Sequence, residues 1–366
     1  MVSGNHRDRI YNFSAGPSML PLSALETAAA EMTNYRGSGM SVMEMSHRSK
    51  VYLEIFNETK ASLRAALSVP DTHEILFMQG GATFQFSAAP LNLIGENGEA
   101  DYAITGSFSS IAAKEARKYG KINISASSEV KDFSYIPPPG ALKLSGGAKY
   151  FYYCANNTIY GTEWQYVPET GGVPLVCDMS SNILSKPVDV SRYGLIFAGA
   201  QKNMAPAGMA VVIIDKSLAG RELPYTPKIM SYKTAIEKDS MDNTPPCYTI
   251  YMLGLTLRWL ETRGGVAGME KRKAAKAKIL YDAIDASRLF MGCADKASRS
   301  DMNITFRTTD KDTDARFIRQ AEERGLVNLA GHRSVGGMRA SVYNAVPEEG
   351  ARALADFMRE FEEKNS

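Results

Sequence analysis

The 366-residue chain has few of the residues that build disulfide scaffolds and metal centres. Its four cysteines, Cys154, Cys177, Cys247 and Cys293, form no CxxC pair, and the first three sit among apolar or aromatic neighbours. They read as buried thiols of a reducing compartment, not as a disulfide framework. The four histidines, His6, His47, His73 and His332, have no metal-ligand spacing among themselves or with the cysteines, so no metal site is expected. Net charge is small: 42 Lys and Arg against 40 Asp and Glu leave +2. That implies neither nucleic acid nor an acidic membrane as partner. No apolar run approaches a membrane span, and the polar N-terminus lacks the apolar segment of a signal peptide. No internal repeat or low-complexity tract is visible. A cytoplasmic protein is expected. With 44% hydrophobic and 22% charged residues, the composition is globular and the length fits two domains.

What is present is an alternation of short apolar runs with helical patterns. Strands are expected at 74–78, 101–105, 121–125, 150–154, 173–177, 195–198 and 209–214. Helices fall between them, and a long one over 52–67 turns Leu53, Phe56, Leu63 and Leu67 inward. The pattern predicts an α/β fold around a largely parallel, helix-covered sheet. An apolar helix over 247–260 ends at Gly264-Gly265, a boundary. Beyond it a basic helix over 270–284 is expected to present Lys271, Arg272, Lys273, Lys276 and Lys278 as a solvated face. Strands at 302–307, 327–329 and 338–343 with helices at 313–324 and 347–363 suggest a small α+β unit. Residues 1–10 are charged and expected to fray.

The chemistry centres on Lys202, in a run of small residues between two apolar strands. A lone lysine there is most often a loop cation reaching water. The alternative is an amine kept neutral by burial, able to condense with an aldehyde as a Schiff base. In parallel sheets ligands collect at the strands' C-terminal ends, and Gly80, Phe108, Thr158, Asp178 and Lys202 all fall at such ends. Gln79-Gly80-Gly81-Ala82-Thr83 lies between a strand and a helix, as a phosphate cradle requires. It lacks the lysine of a P-loop and the GxGxxG of a dinucleotide site. Taken singly, the glycines are a turn, Asp178 a helix cap, Phe108 core, and Arg333 and Arg339 surface. Together with Arg48 they supply what a pyridoxal phosphate site needs: an amine, a carboxylate for the ring nitrogen, donors for a phosphate, a flat side chain, and cations for a substrate carboxylate.

At these residues the sequence resembles the phosphoserine aminotransferases, a family of fold-type-I pyridoxal-phosphate enzymes. The resemblance rests on Asn12-Phe13-Ser14-Ala15-Gly16-Pro17, Ser41-Val42-Met43-Glu44-Met45-Ser46-His47-Arg48, Asp178-Met179-Ser180-Ser181, Ala198-Gly199-Ala200-Gln201-Lys202-Asn203, Asn243-Thr244-Pro245-Pro246 and Gly331-His332-Arg333 through Arg339-Ala340-Ser341. It implies a large domain, residues 16–264, around a mostly parallel seven-stranded sheet. It also implies a small α+β domain made of residues 1–15 and 265–366. It implies pyridoxal 5'-phosphate held by Lys202, which then moves a proton between the substrate Cα and the cofactor. Asp178 would pair with the ring nitrogen. Phe108 would lie against the ring, Thr158 at its hydroxyl side, and Ala82, Thr83 and Gln201 at its phosphate. Asn243 and Thr244 would come from the other subunit of a homodimer to that phosphate. Arg339 would take the substrate α-carboxylate. His47 and Arg48, with His332 and Arg333 of the partner, would take the phosphate of phosphoserine or the side chain of L-glutamate. The implied reaction converts 3-phosphohydroxypyruvate and L-glutamate to O-phospho-L-serine and 2-oxoglutarate; 4-phosphohydroxythreonine is a second substrate of some relatives. The chain departs from the family at Phe108 (often Trp), Ala205 (usually Gly) and Ala15 (Ser in some relatives). Rival readings are an alanine–glyoxylate-type aminotransferase, and a non-catalytic protein that keeps the fold.

Overall fold

The computed structural model describes residues 9–365. Residues 1–8, with His6 and most of the segment expected to fray, lie outside the described residues. The strands are β1 Tyr11–Asn12, β2 His73–Gln79, β3 Glu99–Ile104, β4 Lys121–Ser127, β5 Ala148–Cys154, β6 Asn156–Asn157, β7 Thr162–Glu163, β8 Leu175–Asp178, β9 Leu195–Gly199, β10 Met209–Asp215, β11 Met291–Gly292, β12 Asn303–Arg307, β13 Leu326–Val327 and β14 Met338–Ser341. The helices are α1 Leu22–Ala30, α2 Lys50–Leu67, α3 Gly81–Leu93, α4 Ser107–Ala116, α5 Tyr232–Glu237, α6 Cys247–Thr262, α7 Gly265–Ala286, α8 Lys311–Glu323 and α9 Glu348–Asn365.

Seven strands form one sheet in the order β2-β10-β9-β8-β5-β3-β4. Only β10 runs antiparallel to its neighbours within it. Strands β8 and β9 are buried along their whole length. They read as unbroken apolar runs because both faces are covered. Edge strand β4 is largely open, and its sequence is correspondingly polar. One apolar cluster packs α2 and α6 on one face, and a second packs α3 and α4 on the other. A third core, built from Phe290, Phe306, Phe317, Phe357 and Phe361, lies under the small sheet β11-β12-β14. The chain's start joins that end of the molecule, since β1 pairs in parallel with β13.

Two local expectations change. On α2 the buried stripe is Tyr52, Ile55, Phe56, Thr59, Leu63 and Leu67, so Leu53 is only half-buried. The larger change is on α7, where Lys273 and Lys276 are buried rather than solvated. Lys273 Nζ pairs with Asp301 Oδ2 at 3.3 Å. Lys276 Nζ donates to the carbonyls of Tyr343 at 2.6 Å and Val346 at 3.0 Å. Those carbonyls lie in the turn between β14 and α9; Tyr343 O also accepts Val346 N–H at 3.0 Å, and the ammonium takes up the acceptor capacity that remains. Burial pushes this ammonium down to about 7; Arg272 lowers it further and Glu348 opposes.

Candidate active site

Lys202 lies in the loop between β9 and β10. Antiparallel pairing of these strands closes the loop tightly: Ala200 N–H donates to Met209 O at 2.9 Å, and Ala205 N–H to Ala200 O at 2.9 Å. Ala205 keeps an ordinary negative φ, so the turn accepts its methyl. The loop is also held from outside. Ser18 N–H donates to Gln201 O at 3.1 Å, and the Ser18 hydroxyl to Lys202 O. Asn203 Nδ2 donates to Ile183 O at 2.6 Å, while its Oδ1 accepts Asn344 N–H at 2.9 Å. A Cβ on Gly16 would stand 3.2 Å from Lys202 Cγ, and Gly16 has a φ of +143°. Glycine there lets the N-terminal segment lie against the lysine stem. Lys202 Nζ donates to Thr158 Oγ1 at 2.7 Å and stands 5.0 Å from the Phe108 ring centroid. Burial lowers this ammonium below the ordinary lysine range; Asp178 and Cys154 oppose the shift and Arg339 adds to it.

Asp178 ends β8, opposite Cys154 in the register with β5. Burial raises its carboxyl above the ordinary range, while Lys202 and Ser180 hold it down. Ser180 donates twice to Oδ1, from N–H at 2.9 Å and from its hydroxyl at 2.6 Å. Ser180 Oγ in turn accepts Gly199 N–H at 3.0 Å. Both donations fall on Oδ1, which leaves Oδ2 open to a further donor.

The glycine turn after β2 has the expected shape. Gly80 and Gly81 take φ of +86° and +64°; Gly80 caps α3, which begins at Gly81. The first N–H groups of a helix have no partner within it. A Cβ on Gly199 would stand 2.9 Å from Gln201 Oε1 and 3.4 Å from Ala82 N. The end of β9, Gln201 and the start of α3 therefore converge. Thr83 is exposed there. Asn243 and Thr244 are exposed and tied to the residue just before the turn: Asn243 Nδ2 donates to Gln79 Oε1 at 3.2 Å, and Gln79 Nε2 to Thr244 O at 2.7 Å.

Arg339, on β14, reaches back to the same end of the large sheet. Its Nη1 donates to Thr158 O at 3.4 Å, so Thr158 lies between Lys202 and Arg339. Arg339 Nε is buried without a partner. The 331–337 loop before it walls a cavity of about 630 Å³ that reaches Arg339. His332 Nδ1 meets Ser334 Oγ at 2.7 Å and accepts Ser334 N–H at 3.3 Å, which leaves Nε2 as the protonated nitrogen of the neutral ring. Burial, Arg339 and Arg333 together lower its basicity. Arg333 and Arg48 are exposed and make no ion pair among the described residues. His47 is half-buried, and its Nε2 is buried without a partner. Within one chain, no hydrogen bond joins His47 or Arg48 to Lys202, His332 or Arg339.

Sequence reasoning missed the residues that hold the others. Ser180 and Asn203 stand in the strings that carry the resemblance but were given no role, although a hydroxyl two residues beyond a strand-end carboxylate is a recognisable turn signal. Ser18 had no signal beyond its nearness to Gly16.

The aminotransferase class-V family profile matches residues 10–354. The chain belongs to the class-V aminotransferases. It is 50% identical over 359 residues to a phosphoserine aminotransferase of Janthinobacterium sp. (strain Marseille), covering 97% of this chain and 99% of that one. The solved structure of a phosphoserine aminotransferase from Bacillus circulans subsp. alkalophilus is 45% identical and superposes with a TM-score of 0.96, over 98% of this chain and 100% of that one. A PLP-bound phosphoserine aminotransferase from Trichomonas vaginalis, 44% identical, superposes with a TM-score of 0.92 over 96% of this chain and all of that one.

The cofactor of this class-V aminotransferase is pyridoxal 5'-phosphate, and the residues present fit it. A buried carboxylate with Oδ2 open suits a protonated ring nitrogen. An amine lowered by burial suits an aldehyde. The converging N–H groups and Gln201 suit a phosphate.

Proposed function

We propose that this class-V aminotransferase exchanges the amino group of L-glutamate with 3-phosphohydroxypyruvate, giving 2-oxoglutarate and O-phospho-L-serine, and so supplies L-serine biosynthesis. The observation that carries this reading is a set of uncompensated donors: the unpaired Arg339 Nε, the unpaired His47 Nε2, and the unpaired guanidinium groups of Arg48 and Arg333. Such a set suits substrates with an anion at each end, a carboxylate and a phosphate. A small uncharged side chain, as in an alanine–glyoxylate exchange, has no use for it. Identity of 49–50% over nearly the full chain to enzymes named for phosphoserine supports the same substrate.

The bound cofactor supplies an aldehyde for the amino group and a ring that takes up the electron pair released at the substrate Cα. Asp178 Oδ2, left open by Ser180, would hold a proton on the ring nitrogen. Phe108 would lie against the ring, Thr158 orients Lys202 Nζ, and Ala82, Thr83 and Gln201 would hold the phosphate. Lys202 Nζ takes the proton from the substrate Cα and returns it on the cofactor side. Arg339 binds the α-carboxylate.

The working unit in this reading is a homodimer. Asn243 and Thr244 reach the neighbouring subunit's cofactor phosphate, and His332 and Arg333 of one subunit complete the pocket begun by His47 and Arg48 of the other. The lack of any bond within one chain between His47 or Arg48 and Arg339 supports it. The reading also places the enzyme in the cytoplasm. Its four cysteines are free, as in a reducing compartment. No described helix is long and apolar enough to cross a membrane.

Arg333→Ala tests the phosphate pocket. Losing a charge-assisted pair should raise the KM for O-phospho-L-serine about 10- to 100-fold, with the cofactor absorbance intact. An unchanged KM would remove Arg333 from the pocket.

A further inference from the structure

Lys202 and Asp178 belong to the large sheet, whereas Arg339 stands on β14 of the small one. An α-amino acid carries its amino group and its carboxylate on one carbon. The two sheets must therefore be held at a fixed offset for both ends to be met at once. The contacts that hold them are polar and buried.

Asn156 Nδ2 donates to Asn303 Oδ1 and to Ser181 Oγ, each at 2.7 Å. Ser300 Oγ donates to Asn156 Oδ1 at 2.5 Å. Asn303 Nδ2 donates to Ser341 Oγ at 2.9 Å and to Tyr343 OH at 3.2 Å, and Tyr343 OH donates onward to Ala15 O at 2.8 Å. Asn303, Ser300 and Ser341 are 0% exposed and Asn156 is 2% exposed. Every amide atom of the pair has a partner, so neither side chain can turn over without leaving buried groups unpaired.

Strand β12 bears Asn303 and pairs with β14, which bears Arg339. In that register Asn303 stands opposite Ser341 and Thr305 opposite Arg339. Toward the large sheet, Thr305 Oγ1 donates to Tyr160 O at 3.0 Å, and Ser300 N–H to Gly161 O at 2.9 Å. A Cβ on Gly161 would stand 2.4 Å from Thr305 Oγ1 and 2.9 Å from Asn303 O. No side chain fits between, and residues 156–161 lie directly on β12. That segment contains Thr158, which accepts from Lys202 through its hydroxyl and from Arg339 through its carbonyl.

We infer that Asn303 is a positioning residue for α-carboxylate recognition: through Asn156 on one side and Ser341 on the other, it sets where the Arg339 guanidinium stands relative to Lys202 Nζ. This rests on the aminotransferase reading above. An apolar pair could fill the same space with similar stability, but it would not fix one register.

The test compares the wild-type holoenzyme with Asn303→Ala. Apparent Kd values for O-phospho-L-serine, L-glutamate and L-alanine are read from the concentration dependence of single-turnover loss of cofactor absorbance. All three share the α-carboxylate, so all three should weaken by a common factor, about 10- to 100-fold. The resting spectrum and the cofactor affinity should match wild type. A lowered Tm with unchanged Kd values would make Asn303 purely structural, and weakening for O-phospho-L-serine alone would assign it to the distal pocket; either result overturns the inference. If Asn303→Ala does not fold, Thr305→Val carries the test, because it removes the bond to Tyr160 O, with a side-chain contact to Cys293, and leaves the Asn156–Asn303 pair intact. The same uniform weakening at a smaller factor is expected, and wild-type values overturn the inference. A wild-type enzyme inert toward O-phospho-L-serine and L-glutamate would refute the proposed function instead, a result distinct from any of these.

Discussion

Lys202→Ala should lower transamination by about 10⁴-fold or more while the protein still folds and still binds the cofactor noncovalently. Its backbone anchors, Ser18 to Lys202 O and Asn203 to Ile183 O and Asn344 N, do not involve the lysine side chain. What is lost is the amine beside Thr158 Oγ1 and the Phe108 ring. Because burial lowers its affinity for a proton, that amine is more often neutral near physiological pH than a surface lysine. Only the neutral amine attacks an aldehyde or accepts a proton from carbon. Borohydride reduction followed by peptide mapping checks the assignment. Wild type should carry the cofactor on the peptide containing Lys202, and the variant should carry none. A label on another lysine of the variant would reassign the role.

Asp178→Asn should lower kcat by roughly 10²- to 10³-fold, ~2.7–4 kcal/mol, the loss found when one preorganised charge partner is removed from a reacting site. The amide is isosteric, and Ser180 can still donate to its oxygen, so the strand end should keep its shape. The loss arises because a neutral amide no longer favours a proton on the ring nitrogen. Stability should move the other way in cofactor-free protein. Burial raises the Asp178 carboxyl above its unfolded value, so the folded chain binds this proton more tightly. Its contribution is full at acid pH and is lost as pH rises through the raised value. The Asp178→Asn apoprotein should therefore gain in Tm over wild type as pH rises from the ordinary carboxylate range toward neutrality. An unchanged kcat, or a Tm difference that shrinks over that range, would contradict the assignment.

The parallel sheet and its functional ends were legible because chemistry in such sheets gathers where strands stop. Asp178 closes β8 and Lys202 follows β9, and the apolar runs before them could be read directly. The glycine turn before Ala82 was equally plain, since a strand, two glycines and a helix leave few geometries open. Other features depend on contacts that no local pattern encodes. Lys273 and Lys276 fall on an ordinary basic helix, and only the turn carbonyls of Tyr343 and Val346 and the carboxylate of Asp301 explain their burial. Asn156 and Asn303 are 147 positions apart in sequence, and either alone reads as a polar turn residue. Ser180 carries no role in the strings that mark the resemblance, and only its two bonds to Asp178 and one from Gly199 give it one. The ambiguity at Ala205 resolved once its φ was known: a negative φ leaves room for a methyl.

The central claim is that Arg48 and Arg333, with His47 and His332, read an anion at the far end of an α-amino acid whose carboxylate Arg339 holds. Measuring kcat/KM for O-phospho-L-serine and for L-serine, each with 2-oxoglutarate as the acceptor, tests it most directly. A site whose donors are left unpaired by the smaller substrate should prefer the phosphorylated one by about 10³-fold or more. Equal values, or a preference for L-serine, would contradict the account.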